Sequence, residues 1–293
     1  MTRQARAGLA FTLPVLIATT VVLVVPTLGA LLLSVTDFDI YALADLRNLR
    51  FVGLGNYAEL LRTPLFWHAV GNTALFAAIG VPAAIGTSLA TALLLNSATV
   101  RWKPVWRLML FAPDVTTLVA TALVWRYVLD TRSGLLNYAL SLAGIGPVDW
   151  LGDPATSIPA TLIFIVWKVF GYNMLVFTAA LATVPHELHE AARLDGAGMW
   201  ARFRHVTLPA IGPALLLAAV LSVGGFLQTF DEPYVMTQGG PAQSTLTVMY
   251  FMYDQGFTWW NMGMGSAIAI LLFGAAVALT AVQTRIGRRR EWL

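Results

Sequence analysis

The chain has 293 residues, of which 58% are hydrophobic and only 11% are Asp, Glu, Lys or Arg, less than half of the ~25% charged residues usual in water-soluble domains. Its mean hydropathy of +0.71 is spread along the whole length, so a soluble core is excluded and one membrane domain over 1–293 is expected. The absence of cysteine excludes disulfides, thiolate metal sites and thiol chemistry, and the net charge of +3 sits on arginines at the ends of apolar runs, which indicates a bilayer and no nucleic acid.

Crossing the hydrocarbon takes about 20 apolar residues, and six stretches qualify, at roughly 8–34, 68–95, 105–128, 158–183, 210–230 and 262–284. The first follows Arg3 and Arg6 as a signal peptide would. It exceeds the h-region length of about 7 to 15 residues and lacks a small-residue cleavage site, so it is expected to remain as a helix. Pro14, Pro26, Pro82 and Pro113 fall inside spans, where neighbouring helices can re-satisfy the freed carbonyls. With the N-terminus inside, the inner connections carry Arg3, Arg6, Arg101, Lys103, Arg107, Arg193, Arg202, Arg204, Arg285, Arg288, Arg289 and Arg290. The outer ones carry Arg47, Arg50, Arg62, Arg126 and Arg132. Twelve against five places both termini in the cytoplasm.

The third and fourth spans hold Asp114 and Lys168, and an ionisable group in hydrocarbon is a functional candidate. The two can pair, or Lys168 can donate to a substrate in a cavity. An ion-coupled secondary transporter or channel built on Asp114 and Lys168 is the competing reading of this pair. Between the fourth and fifth spans, 185–209 reads PHELHEAARLDGAGMWARFRHVTLP, too charged to enter the bilayer. A short helix begins after Pro185, with Glu187 and Glu190 at its positive end, and stops at Asp195-Gly196. A second puts Met199, Phe203 and Val206 on one stripe, an apolar face that calls for a partner. His186 and His189 are three apart and not the four that place two metal ligands on one helix face, so no metal is expected. No catalytic set stands out, so no enzyme is expected.

The loop resembles the EAA motif of binding-protein-dependent ABC importer permeases: Glu190-Ala191-Ala192, three residues, Gly196, nine residues, then Val206-Thr207-Leu208-Pro209. Val206 stands where isoleucine is usual. Thr237-Gln238-Gly239-Gly240-Pro241, followed by Thr245 and Tyr250-Phe251-Met252-Tyr253, is similar to the T-x-GGP segment of carbohydrate permeases of the maltose and glycerol-phosphate uptake type. Gly134-Leu135-Leu136-Asn137 and Asp149-Trp150-Leu151 extend the similarity. The resemblance implies an all-α integral membrane fold, six helices of the type I ABC importer permease kind, in a bacterial or archaeal cytoplasmic membrane. It implies four partners: a second, homologous permease chain, two nucleotide-binding ATPase subunits, and an extracytoplasmic sugar-binding protein. No G-x-x-x-x-G-K-[ST] loop is present, so ATP and its Mg belong to the partners and this chain needs no cofactor.

By the same resemblance, Glu190, Ala191, Ala192, Asp195, Gly196, Ala197, Phe203, Leu208 and Pro209 couple the chain to the ATPase. Sugar contacts are implied on the helices flanking the loop, at Lys168, Tyr172, Ser222, Phe226 and Thr229. Two asparagines of the maltose type fall on Ile165 and Phe226, so the sugar need not be maltose. An aromatic platform with a few polar donors suits a sugar, apolar on one face and hydroxylated at its rim.

Overall fold

The computed structural model describes residues 3–97, 99–290 and 292, with side chains from Phe11 onward except that of Leu46. Arg3 and Arg6, part of the orientation count, lie outside the described side chains. In chain order the helices are α1 (Arg3–Thr19), α2 (Val25–Leu33), α3 (Ile40–Ala44), α4 (Gly55–Arg62), α5 (Pro64–Asn96), α6 (Lys103–Val115), α7 (Leu118–Val128) and α8 (Leu135–Leu142). They continue as α9 (Pro154–Ala182), α10 (His186–Leu194), α11 (Met199–Arg202), α12 (Leu208–Ala210), α13 (Gly212–Leu227), α14 (Asp231–Met236), α15 (Val248–Tyr253) and α16 (Met262–Arg289). The described residues form no strand beyond one isolated bridge between Thr36 and Phe51.

Four of the six apolar stretches are unbroken helices, Phe11–Leu33, Pro64–Asn96, Pro154–Ala182 and Met262–Arg289. The longest, 33 residues, reaches about 50 Å at 1.5 Å per residue. The other two are bent pairs: α6 meets α7 at 99°, and Met199–Ala210 meets α13 at 71°. The first lies inside the single run expected over 105–128, the second falls where the elbow 185–209 is expected to give way to the fifth span, and proline chemistry explains both breaks. At the first, Pro113 lacks an N–H and Thr116 and Thr117 are extended, so the last carbonyls of α6 lose their helical donors. At the second, Ile211 sits between Pro209 and Pro213, and Pro213 cannot donate to the Pro209 carbonyl.

The described residues divide into two compact units, 1–67 with 251–274 and 68–250 with 275–293. In the first, α1 and α2 run on through a π-helical turn at Thr20–Val24, and none of the most apolar window of this span is buried. Beyond it, Asn56 donates to the Ser34 and Thr36 carbonyls at 2.8 Å each, and Tyr57 donates to the Ser34 hydroxyl at 2.8 Å. Asp39 caps α3 by accepting from the Tyr41 and Ala42 amides. Gly263 donates to the Phe38 carbonyl at 2.9 Å, where a Cβ would collide with the Thr36 carbonyl.

The second unit is arranged around α9, 56% of whose apolar window is buried. Phe76, Phe164, Ile165, Phe226 and Met236 form one buried cluster, edged by Trp125 and Trp167. Met174, Phe177, Leu181, Ile211 and Ala218 form another toward the α10 end. Gly171 brings α9 against α6, since a Cβ there would stand 2.7 Å from the Leu110 carbonyl oxygen. Small residues at such crossings are how membrane helices approach closely without a hydrophobic drive between them. Ser88 of α5 lies 2.8 Å from the Phe170 carbonyl, tying α5 to α9.

At the far end of α9 from α10, Asn137 donates to the Val148 carbonyl at 2.8 Å and accepts from Val148 N and Trp150 Nε1 at 3.1 and 3.0 Å. One amide thus joins the two short segments that extend the family resemblance. Nearby, the exposed Asp130 carboxylate accepts from the Ser133 amide and hydroxyl and the Arg132 amide, which holds it below the usual carboxylate range, the Ser133 amide contributing most.

Candidate functional site

Within the second unit α6, α9, α13 and α14 enclose a cavity of about 300 Å³. Its walls are Asp114 from α6, Ile165, Val169, Tyr172 and Asn173 from α9, Leu221, Ser222, Gly225 and Phe226 from α13, Thr229 beyond it, and Glu232 from α14. Four of the five residues expected to meet a sugar, Tyr172, Ser222, Phe226 and Thr229, come together here. Gly80 of α5 backs the Phe226 ring, and a Cβ at Gly80 would collide with it. Asn173 donates to the Ser222 hydroxyl at 3.1 Å, so the pair presents one ordered amide-hydroxyl edge.

Lys168 lies elsewhere. Only 6% exposed, it does not line the cavity, and its ammonium donates to the carbonyls of Pro113, Asp114 and Thr116 at 2.5, 3.0 and 2.8 Å. An ammonium has three protons, and all three are engaged. These carbonyls are those orphaned at the α6–α7 break, so Lys168 acts as a cationic cap at a helix C-terminus, where the dipole favours positive charge. No ion pair joins it to the Asp114 carboxylate; among the described residues the ion pair present is Arg50 with Asp37 at 3.1 Å. Of the two roles open to Lys168, pairing with the Asp114 carboxylate gives way to a contact with the Asp114 backbone, and donation to a molecule in this cavity is not supported, since Lys168 does not line it.

Asn173 and Glu232 belong to the cavity although sequence reasoning did not single them out. Each carries a signal in retrospect: Asn173 is an amide in an apolar run next to Tyr172, and Glu232 is an acid just past the fifth span.

The second functional region is the elbow 185–209. α10 spans His186–Leu194, and Gly196 adopts φ +78°. The Ala197 amide donates to the Ala192 carbonyl at 2.9 Å and the Gly196 amide to the Arg193 carbonyl at 3.0 Å, which is the Schellman closure of a helix by a left-handed residue. Glu190, Ala191 and Asp195 are exposed, Ala192 and Ala197 half-buried. The Glu190 carboxylate has no hydrogen-bond partner among the described residues. Leu194 is 89% and Met199 81% exposed, an apolar surface of the kind left uncovered for a partner. The second half of the elbow is wound more widely than a plain helix: α11 passes through a π-turn at Phe203–Thr207 into α12, which carries Leu208 and Pro209. Phe203 is half-buried and stacks near Trp200, ring centroids 5.3 Å apart.

A third region, 237–247, is held by side chains. His68 and Asn72 of α5 lie 3.1 and 2.9 Å from the Gln243 carbonyl, and Asn72 also donates to the Leu246 carbonyl. Ser157 of α9 meets the Ser244 hydroxyl at 2.9 Å, and Thr237 meets the Thr245 hydroxyl at 2.6 Å. Thr245 in turn donates to the Gly240 carbonyl at 2.9 Å. The T-x-GGP segment is therefore a fixed crosspiece between α5, α9 and α14.

Comparison with known proteins agrees with this arrangement. The family model described as binding-protein-dependent transport system inner membrane component matches residues 5–292. The trehalose/maltose transport system permease protein MalF of Thermococcus litoralis is 33% identical over 289 residues, covering 99% of this chain and 96% of that protein. The lactose transport system permease protein LacF of Rhizobium radiobacter is 32% identical over 288 residues, covering 97% and 95%. In fold, the chain superposes with a TM-score of 0.82 and 21% identity on a chain of a bacterial ABC transporter involved in the import of the acidic polysaccharide alginate, covering 98% and 96%. A family match over nearly the whole length, an EAA elbow closed at Gly196 and a helical body of four long apolar helices with two bent pairs leave one assignment: the chain belongs to the inner membrane components of binding-protein-dependent transport systems, as a permease of the type I ABC importer fold.

Proposed function

We propose that the chain forms one half of the translocation pathway of an ATP-driven importer, and that its cargo is a sugar handed over by an extracytoplasmic binding protein. The observation that carries the reading is connectivity. α9 and α13, the helices on either side of the elbow, are also the walls of the cavity. A rigid-body displacement of the elbow by a closing ATPase pair is thus delivered directly to the surfaces that hold cargo. Glu190, Ala191, Ala192, Asp195, Gly196, Ala197, Phe203, Leu208 and Pro209 form the coupling surface. Tyr172 and Phe226 offer aromatic faces, and Ser222 and Thr229 offer hydroxyls, to the sugar. The relatives named for trehalose/maltose and for lactose support a saccharide cargo. Both termini and 185–209 face the cytoplasm, where the ATPase subunits are, and a second permease completes the pathway.

An ion-driven carrier would need a chargeable pair free to exchange partners in the membrane. Lys168 has its protons on backbone carbonyls, which supports the ATP-driven reading. The test is uptake of labelled maltose, trehalose and lactose by cells producing the whole importer. Uptake that continues when ionophores collapse the proton and sodium gradients, and falls about tenfold in Phe226→Ala, is the expected result. Uptake that stops with the ion gradients while ATP remains high would overturn the proposal.

A further inference from the structure

Two carboxylates, Asp114 and Glu232, face the cavity, and no other side chain lining it is ionisable at neutral pH except these acids. Glu232 is 8% exposed. Glu232 takes a hydrogen bond from its own backbone amide, Asp114 is half-buried, and neither carboxylate accepts a hydrogen bond from another described residue, so both keep acceptor capacity toward the cavity. The nearest cation, Lys168, reaches both carboxylates through its charge alone, because its three protons are bound to the carbonyls of Pro113, Asp114 and Thr116. The cavity is thus rich in acceptors and lacks any cationic donor. A bound molecule must bring protons of its own, and bring no negative charge into a space where charges interact several-fold more strongly than in water.

We infer that Asp114 and Glu232 select cargo by charge: the cavity takes a sugar free of negative charge, whose hydroxyl or amino protons satisfy the two carboxylates, and turns away uronates and sulfonated sugars. This rests on the reading of the cavity as a sugar site. It separates this chain from the alginate importer that shares its fold, whose cargo is acidic. Asp114 and Glu232 are specificity residues on this assignment, while Tyr172, Ser222 and Phe226 supply the general saccharide surface.

Maltose, trehalose and lactose, each beside its counterpart oxidised to a carboxylate at one C6, provide matched pairs differing by one charge. Saturation-transfer NMR on the assembled importer in nanodiscs reads binding without relying on delivery by the binding protein. At least one neutral sugar is expected to bind about tenfold or more tighter than its uronate. In Asp114→Asn with Glu232→Gln that ratio is expected to shrink below about threefold, and each single substitution, isosteric with the native residue, is expected to shrink it part of the way. Equal binding of a neutral sugar and its uronate to the wild-type complex would overturn charge selection and leave the sugar cavity standing. Silence from all six compounds would remove the sugar cavity itself, and this inference with it. The wild-type ratio needs no variant, so a poorly folding substitution does not blunt the test.

Discussion

Lys168 directs three protons at three backbone carbonyls, and this changes what its removal should do. In Lys168→Met those carbonyls lose their donors in a buried place, at about 1–3 kcal/mol for each one left unsatisfied. The variant is expected to lose thermal stability in detergent, with transport falling as the α6–α7 break loosens. Adding Asp114→Asn should not restore it, since the ammonium serves the Asp114 backbone and not its carboxylate. Rescue by that second substitution, read as recovery of the melting temperature, would show an ion pair after all. The sequence made Lys168 conspicuous because a lone lysine in hydrocarbon is costly, yet its partners were illegible there. They are main-chain atoms 52 to 55 residues away, and their need for a donor arises from a bend that composition does not announce. Asn173 and Glu232 escaped for a related reason: a polar residue is recognisable in a sequence, but the cavity it faces exists only once four helices meet.

Gly196 sets the angle of the elbow through its own backbone. Nothing lies within 4 Å of where its Cβ would be, so a side chain there meets no obstacle, and the cost of substitution is the left-handed φ of +78° alone, about 1–2 kcal/mol for an ordinary L-residue. Asparagine tolerates that conformation and valine does not. Gly196→Asn is therefore expected to keep most ATP hydrolysis stimulated by the binding protein, while Gly196→Val loses most of it with the membrane fold intact. Proteoliposomes of the assembled importer measure this, and equal activity in both variants would detach the elbow's angle from coupling. The elbow was readable in the sequence because helix signals are local: acids after Pro185, and Asp-Gly at the stop. The span positions were readable because 20 apolar residues in a row have few other uses. The break inside the third span was not, because Pro113 is equally compatible with a mild kink. Only the packing against α9 decides how far the helix turns.

At the scale of the molecule, the twelve basic residues of the proposed inner connections against five in the outer ones support the sidedness proposed above. Because the chain has no cysteine, a cysteine placed at Ala197 reports without background. An impermeant maleimide added to intact cells should leave it unlabelled and should label it after the membrane is opened. Labelling from outside would invert the topology and take the ATPase contact with it. The break between α6 and α7 also bears on how the chain enters the bilayer. The ribosome delivers α6 and α7 before α9, so the Pro113 and Thr116 carbonyls reach hydrocarbon while the ammonium that will satisfy them has yet to be synthesised. Bare carbonyls in lipid cost several kcal/mol each, and a solitary lysine adds about 2.5–3.5 kcal/mol to the insertion of its own helix. Each segment is a poor guest alone and an acceptable one together. The third and fourth spans are therefore expected to settle in the membrane together, as a hairpin latched by Lys168.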